Sequence, residues 1–153
     1  MRKINFIEKF LGSGFFTGYI PIASGTFGSI AALIVYLIPG FEKYYILIPV
    51  TLVFFLYGIY IGTKFEAKYG KDPAECTIDE VVGMWISLLF LPKTIWIVTI
   101  TFFLWRALDI FKPYPARKLE KLNGGLGIMI DDVVSGFYTL IIMHLVVYLS
   151  GKF

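Results

Sequence analysis

Six carboxylates lie at or near the ends of long apolar stretches: Glu75, Asp79, Glu80, Asp109, Asp131 and Asp132. An ionisable group next to or within an apolar layer is costly, so each one needs a partner. Carboxylates that lie close together repel one another unless some are protonated or a cation lies among them. Hard oxygen ligands suit Mg²⁺, which usually keeps some of its waters and also binds substrate phosphate. The acids together therefore predict a site for Mg²⁺ or a similar divalent ion.

Each acid taken alone also has a structural explanation. Thr77 and Glu80 have the spacing of a capping box, Asp131 could be an N-cap, and acids in the first turn suit the helix dipole. Asp109 is different, because it falls at the C-terminal end of a predicted helix, where negative charge is unfavourable. Arg106 and Lys112, three residues to either side, could pair with it. The six acids as a group favour the metal site over these separate roles.

Two segments could bind phosphate beside the acids. The glycine-rich stretch 12–29 precedes the first long helix, whose free N–H groups, with the hydroxyls of Thr26 and Ser29, could bind an anion. Close helix packing by small residues is the alternative. The basic loop 111–121 offers Lys112 first, with Arg106 and Arg117 next, although such a loop also fits attraction to anionic lipids.

The composition indicates where these residues lie. Of the 153 residues, 58% are hydrophobic and 16% are charged, whereas about 25% of an average soluble domain is charged. A single cysteine excludes a disulfide scaffold, the apolar content excludes a disordered chain, and a net charge of only +3 argues against a strongly basic nucleic-acid binder. We therefore predict a membrane protein that forms a single domain over residues 1–153.

The spacing of charged residues predicts the membrane segments. Uncharged gaps of 20 and 19 residues follow Lys43 and Asp132, and about 20 apolar residues cross a bilayer as a helix. The ranges 26–38, 77–91 and 94–111 also read as helices, and 4–11 as an amphipathic one. The predicted fold is an all-α polytopic membrane bundle of about five membrane-embedded helices plus a short N-terminal interfacial helix. Lys and Arg favour the N-terminus and the loops 64–77 and 111–130 by ten to three, which places that side in the cytoplasm.

Three blocks of sequence carry a family resemblance. The first is Gly12-x-Gly14 with Pro21-x-Ala23-Ser24-Gly25-Thr26-x-Gly28, and the second is Asp72-Pro73-x-Glu75-x-x-Ile78-Asp79-Glu80-x-x-Gly83. The third is Arg106-x-x-Asp109-x-x-Lys112-Pro113-x-Pro115, followed by Gly124-Gly125-x-Gly127-x-Met129-x-Asp131-Asp132. Together they resemble the phosphatidylglycerophosphatase A family. The resemblance implies a bacterial inner-membrane enzyme that uses Mg²⁺ to hydrolyse phosphatidylglycerol phosphate at the cytoplasmic face.

The acids and the resemblance combine into one hypothesis about the site. The predicted metal ligands are Asp79, Glu80, Asp131 and Asp132. The predicted catalytic residues are Glu75, Asp79, Asp109 and Asp132, with Glu75 or Asp109 as general base or further ligand. The predicted phosphate-binding residues are Thr26, Ser29, Arg106, Lys112 and Arg117. The expected partners are the lipid substrate and membrane lipids, and the oligomeric state stays open. The alternative is a small membrane transporter or channel component with a carboxylate cation site.

Overall fold

A computed structural model describes residues 3–151, and all regular structure in that range is helical. The helices are α1 Phe6–Gly12, α2 Ser24–Leu37, α3 Tyr44–Tyr69, α4 Ile78–Ser87, α5 Ile95–Phe111, α6 Ala116–Leu119 and α7 Gly125–Leu149, with a 3₁₀ turn at Thr17–Tyr19 between α1 and α2. The all-helical prediction is therefore confirmed for the described residues. Arg2 and Lys152, which entered the count of loop charges, lie outside them.

The membrane-spanning helices are fewer than predicted. By length and composition α3 and α7 can cross a membrane, since 26 and 25 residues give about 39 and 37 Å. Helix α2 is apolar but shorter. Helix α4 has only 10 residues, about 15 Å, because tight turns after Ser87 and a positive φ at Phe90 end it early. The structure thus supports two spanning helices, and the number of about five is not confirmed.

Helix α7 begins earlier than expected because α3 caps it. The N–H of Gly125 donates to Thr63 Oγ1 at 2.9 Å, and the N–H of Gly124 donates to Glu66 Oε1 at 3.2 Å. These bonds satisfy N–H groups that a helix start leaves free. Asp131 is therefore not the N-cap that its position suggested, because it lies in the second turn of α7.

The predicted capping box at the start of α4 is also wrong. Thr77 is the N-cap residue, but its side chain makes no capping hydrogen bond. Its hydroxyl instead lies 3.0 Å from the hydroxyl of Thr17, which joins the start of α4 to the 3₁₀ turn. Glu80 is consequently left for another role.

Helix α4 lies at the centre of the bundle. It packs against α2, α3, α5 and α7, and nine of its ten residues are buried. The indole N–H of Trp85 donates to the carbonyl of Ala32 at 3.0 Å, and its ring contacts Phe41 and Phe54. The central position of α4 means that acids on its first turn are enclosed by other helices.

The predicted N-terminal amphipathic helix is present as α1. Asn5 and Glu8 form a capping box, with bonds of 2.8 and 2.9 Å. Glu8 also binds Lys64 of α3, which fastens α1 to the bundle. Phe6 and Ile7 are exposed on the opposite side. An exposed apolar face with a fixed polar face is the arrangement of an interfacial helix.

Candidate metal and phosphate site

Three of the predicted acids meet in the core of the bundle. One carboxylate oxygen each of Asp79, Glu80 and Asp132 lies within 4.8 Å of the others. Asp79 Oδ1, Glu80 Oε2 and Asp132 Oδ2 are buried without a hydrogen-bond partner among the described residues. Unpartnered buried carboxylates are costly unless a cation compensates them. An all-oxygen set of this kind fits Mg²⁺ in donor chemistry.

A close crossing of α4 and α7 brings these acids together. A Cβ atom built on Gly136 would lie 2.8 Å from the carbonyl oxygen of Gly83, so side chains at this crossing would force the helices apart. Gly83 lies four residues after Asp79, and Gly136 lies four residues after Asp132. Residues four apart share a helix face. The contact between the glycines therefore sets the acids side by side one turn away.

The acids open into a polar cavity of about 270 Å³. Its wall includes Asp79, Glu80, Asp109, Lys112 and Asp132 of the predicted residues. Asp72 and Pro73 complete another side of the wall. The cavity is large enough for several water molecules, since one occupies about 30 Å³ in the liquid.

Two cations are held beside the cavity by acids. Arg106 donates to Asp109 Oδ2 at 2.7 Å, and Lys112 donates to Asp131 Oδ2 at 2.7 Å. The Lys112 ammonium also lies 3.2 Å from Glu120. Burial favours the neutral amine, but the bond to Asp131 and the nearby carboxylates outweigh it and raise the pKa of Lys112. Lys112 is therefore a fixed positive charge at the cavity wall.

The N-terminus of α2 approaches the acids from the other side. A Cβ atom built on Gly25 would lie 2.3 Å from Glu80 Oε1 and 3.3 Å from Arg106 Nη2. A side chain at this position would displace the Glu80 carboxylate and crowd Arg106. The first main-chain hydrogen bond of this helix is from Phe27 to Ala23, so the preceding N–H groups are not used within it. Thr26 is half-buried in this first turn.

Four predicted residues lie apart from the three clustered acids or are otherwise engaged. Asp131 binds Lys112 and is not one of the clustered acids. The Ser29 hydroxyl is buried and donates to the carbonyl of Gly25 at 2.8 Å. Arg117 is exposed and donates to the carbonyl of Phe111 at 3.1 Å. Glu75 is half-buried and is not part of the cavity wall described above.

Two residues of the site were not predicted to act there. Asp72 lies in the cavity wall and Gly25 lies against Glu80 and Arg106. Both occur in the sequence blocks that carry the family resemblance, and Gly25 also lies in the glycine-rich stretch 12–29. A loop acid and a helix-start glycine belong to no periodic pattern, so hydropathy does not identify them.

Three known proteins are similar to this chain in sequence. A protein from Bacteroides thetaiotaomicron, provisionally named a phosphatidylinositol-3-phosphatase, is 35% identical over 99% of this chain and all of its own length. Proteins named phosphatidylglycerophosphatase A are 34% identical in Escherichia coli, over 89% of this chain and 81% of that one, and 36% identical in Haemophilus influenzae, over 97% and 94%. No solved structure matches the chain.

The family profile described as phosphatidylglycerophosphatase A matches residues 10–147, which include all three resembling blocks. The match confirms the family predicted from those blocks. The chain belongs to the phosphatidylglycerophosphatase A family.

Proposed function

We propose that this protein hydrolyses the phosphomonoester of phosphatidylglycerol phosphate to phosphatidylglycerol and inorganic phosphate. It does so as a single domain in the bacterial inner membrane, as a multi-pass protein with its site facing the cytoplasm. The observation that carries the proposal is the trio of unpartnered oxygens from Asp79, Glu80 and Asp132, beside Arg106. Each of the three relatives is named for the removal of a phosphate group from a lipid headgroup.

The three clustered acids would hold Mg²⁺. When bound, Mg²⁺ supplies positive charge that offsets the charge on the phosphate oxygens and favours deprotonation of the attacking water. Asp131 has a different role in this proposal. Its bond to Lys112 keeps that ammonium at the cavity wall, so Asp131 positions a cation and is not a ligand.

The phosphate is held between cations and helix N–H groups. Arg106 is oriented by Asp109 and lies against Gly25 at the α2 N-terminus. Free N–H groups at a helix start and a guanidinium both bind phosphate oxygens well. Thr26 in the same turn adds a hydroxyl, and Lys112 adds a second positive charge. These groups neutralise charge in the transition state as the bond to the leaving oxygen breaks.

Asp109 is the best-placed base for the attacking water. It lies in the cavity wall, where its Oδ2 accepts from Arg106. The proton of the water passes to this carboxylate while the water oxygen bonds to phosphorus. The alkoxide of the glycerol headgroup then leaves and takes up a proton from solvent in the cavity.

The test is phosphate release by purified protein from phosphatidylglycerol phosphate in detergent micelles. We expect release with Mg²⁺, none with a chelator, and near-complete loss in Asp79→Asn and Asp132→Asn. Glu42→Gln is the matched control, because Glu42 pairs with Lys93 in the loops that precede α3 and α5. Absence of release from the wild type overturns the function, and full activity of Asp132→Asn overturns the site.

A second arm separates the substrates that the relatives' names suggest. The same protein is assayed with phosphatidylinositol 3-phosphate, and the two values of kcat/KM are compared. We expect the phosphatidylglycerol phosphate value to be higher. Cation flux in liposomes that is lost in Asp132→Asn, without phosphate release, would instead establish the transporter alternative.

A further inference from the structure

A second, apolar groove of about 270 Å³ lies between α3, α4 and α7. Its walls include Ile48, Thr51, Leu52 and Phe55 of α3, Val82 of α4 and Val133 of α7. Among the described residues of this wall, Thr51 is the single polar one. Leu52 is 55% exposed, so the groove opens at the outer surface of the bundle.

The groove begins next to the acid cluster. Val82 lies three residues after Asp79 on α4, and Val133 directly follows Asp132 on α7. From Phe55 to Ile48 the groove extends along eight residues of α3, whose seven helical rises span about 10 Å. A molecule with a phosphate at one end and a hydrocarbon chain at the other can therefore occupy the polar cavity and this groove together.

Thr51 gives the groove a hydrogen-bond donor without an acceptor. The residue is 6% exposed, and its hydroxyl has no hydrogen-bond partner among the described residues. A threonine within a helix often donates to the carbonyl four residues earlier; Thr101 and Thr139 do so here, at 2.7 and 2.9 Å. A buried hydroxyl that lacks such a bond needs an acceptor from elsewhere. The ester carbonyl of a glycerolipid is an acceptor attached to a hydrocarbon chain.

We propose that the groove binds the ester end of one acyl chain of the lipid substrate, with Thr51 donating to the ester carbonyl. This inference rests on the proposed function, because the phosphate of the same lipid occupies the acid site. The chain enters sideways from the bilayer past Leu52. The α3–α4–α7 groove thereby makes the enzyme selective for diacyl lipids over small phosphomonoesters.

The first test compares chain lengths. Leu52→Trp places a larger side chain at the groove, and Leu56→Trp places the same side chain one turn away on α3, where Leu56 is 58% exposed and outside the groove wall. We expect Leu52→Trp to raise KM about tenfold for a long-chain substrate, because two or so buried methylene groups are displaced. The rise should be smaller for a dihexanoyl substrate, which places fewer methylene groups in the groove, and both KM values of Leu56→Trp should stay at the wild-type level.

The second test removes the hydroxyl. Thr51→Val keeps the shape of the side chain, and we expect it to raise KM for the diacyl substrate about threefold to tenfold. Thr51→Ser should keep the wild-type value. The ether-linked analogue, which has no ester carbonyl, should give the same KM with Thr51→Val and with the wild type. An unchanged KM of Thr51→Val on the diacyl substrate overturns the ester contact.

The outcomes separate the two proposals. If the wild type releases no phosphate from either chain length, the proposed function fails and the groove proposal fails with it. If the wild type is active and Leu52→Trp matches Leu56→Trp on the long-chain substrate, the groove proposal alone is overturned.

Discussion

Gly83 and Gly136 face each other so closely that a Cβ atom on Gly136 would lie 2.8 Å from the Gly83 carbonyl oxygen. A Cβ atom on Gly83 would in turn lie 3.0 Å from the carbonyl oxygen of Asp132 and 2.6 Å from the Trp105 ring. The two acid-bearing helices therefore meet backbone to backbone. The distance between Asp79 and Asp132 depends on this contact.

Adding one methyl group at the crossing should disable the site while the bundle still folds. We expect Gly136→Ala to lower kcat/KM about a hundredfold, since a displacement near 1 Å at a catalytic site has that effect. Val146→Ile adds one carbon at an exposed position on the same helix and should be neutral. Helix content by circular dichroism checks folding. Wild-type activity of Gly136→Ala would show that the crossing does not set the acid geometry.

Substitution of a clustered acid should weaken metal binding more than substitution of Asp131. With Mn²⁺ as a paramagnetic probe for the Mg²⁺ site, we expect Asp79→Asn and Asp132→Asn to weaken binding by more than about a hundredfold. Asp131→Asn should weaken binding less, because Asp131 binds Lys112 and acts from outside the trio. Titrations followed by electron paramagnetic resonance measure this. Equal losses of Mn²⁺ affinity in Asp131→Asn and Asp132→Asn would show that Asp131 is also a metal ligand.

The two arginines predicted from the sequence should have unequal effects. Arg106 is held by Asp109 beside the α2 N-terminus, whereas exposed Arg117 donates to the carbonyl of Phe111. Arg106→Lys keeps the charge but loses the planar donor set, and we expect kcat/KM to fall about tenfold to a hundredfold. Arg117→Lys should change it less than about twofold. Steady-state kinetics on both variants provide the comparison, and a larger effect at Arg117 would contradict the proposed phosphate site.

Acid should loosen the attachment of α1. The hydrogen bond from Lys64, followed by that from the Asn5 N–H, lowers the pKa of Glu8 below its ordinary 4.5. Glu8 therefore binds a proton more readily in the unfolded chain than in the folded one. The stabilisation of the fold by ionised Glu8 is present above pH 4.5 and disappears as the pH falls through the lower folded-state pKa. Glu8→Gln should have a lower Tm than the wild type at pH 7. That difference should shrink in strong acid, and a difference that persists unchanged there would exclude Glu8 ionisation as its source.

The sequence was sufficient for the all-helical class and for the two long apolar helices. Uncharged gaps predicted α3 and α7, because charges are costly inside an apolar layer. Asp79, Glu80 and Asp132 could be selected because acids beside such gaps need a cation. The family resemblance added the phosphate chemistry, which the residue types alone left open.

The remaining features depend on contacts between distant parts of the chain. Helix α7 begins at Gly125 because Thr63 and Glu66, about sixty residues away in sequence, accept its first N–H groups. Local spacing at Asp131 could not show this. The separation of Asp131 from the trio likewise follows from the position of Lys112, which a turn with positive φ sets at the end of α5. Such positions are fixed by tertiary structure.

The placement of the acids between a polar cavity and an apolar groove has a consequence for turnover. Hydrolysis makes one product that is water-soluble and one that is soluble in the bilayer. On the two proposals above, inorganic phosphate would leave through the polar cavity beside Asp72 and Lys112, and the lipid would leave sideways through the groove past Leu52. Neither product then has to pass the other. In the proposed mechanism the enzyme releases one product into water and the other into the bilayer. We therefore expect product-inhibition kinetics to show that the two products leave in either order.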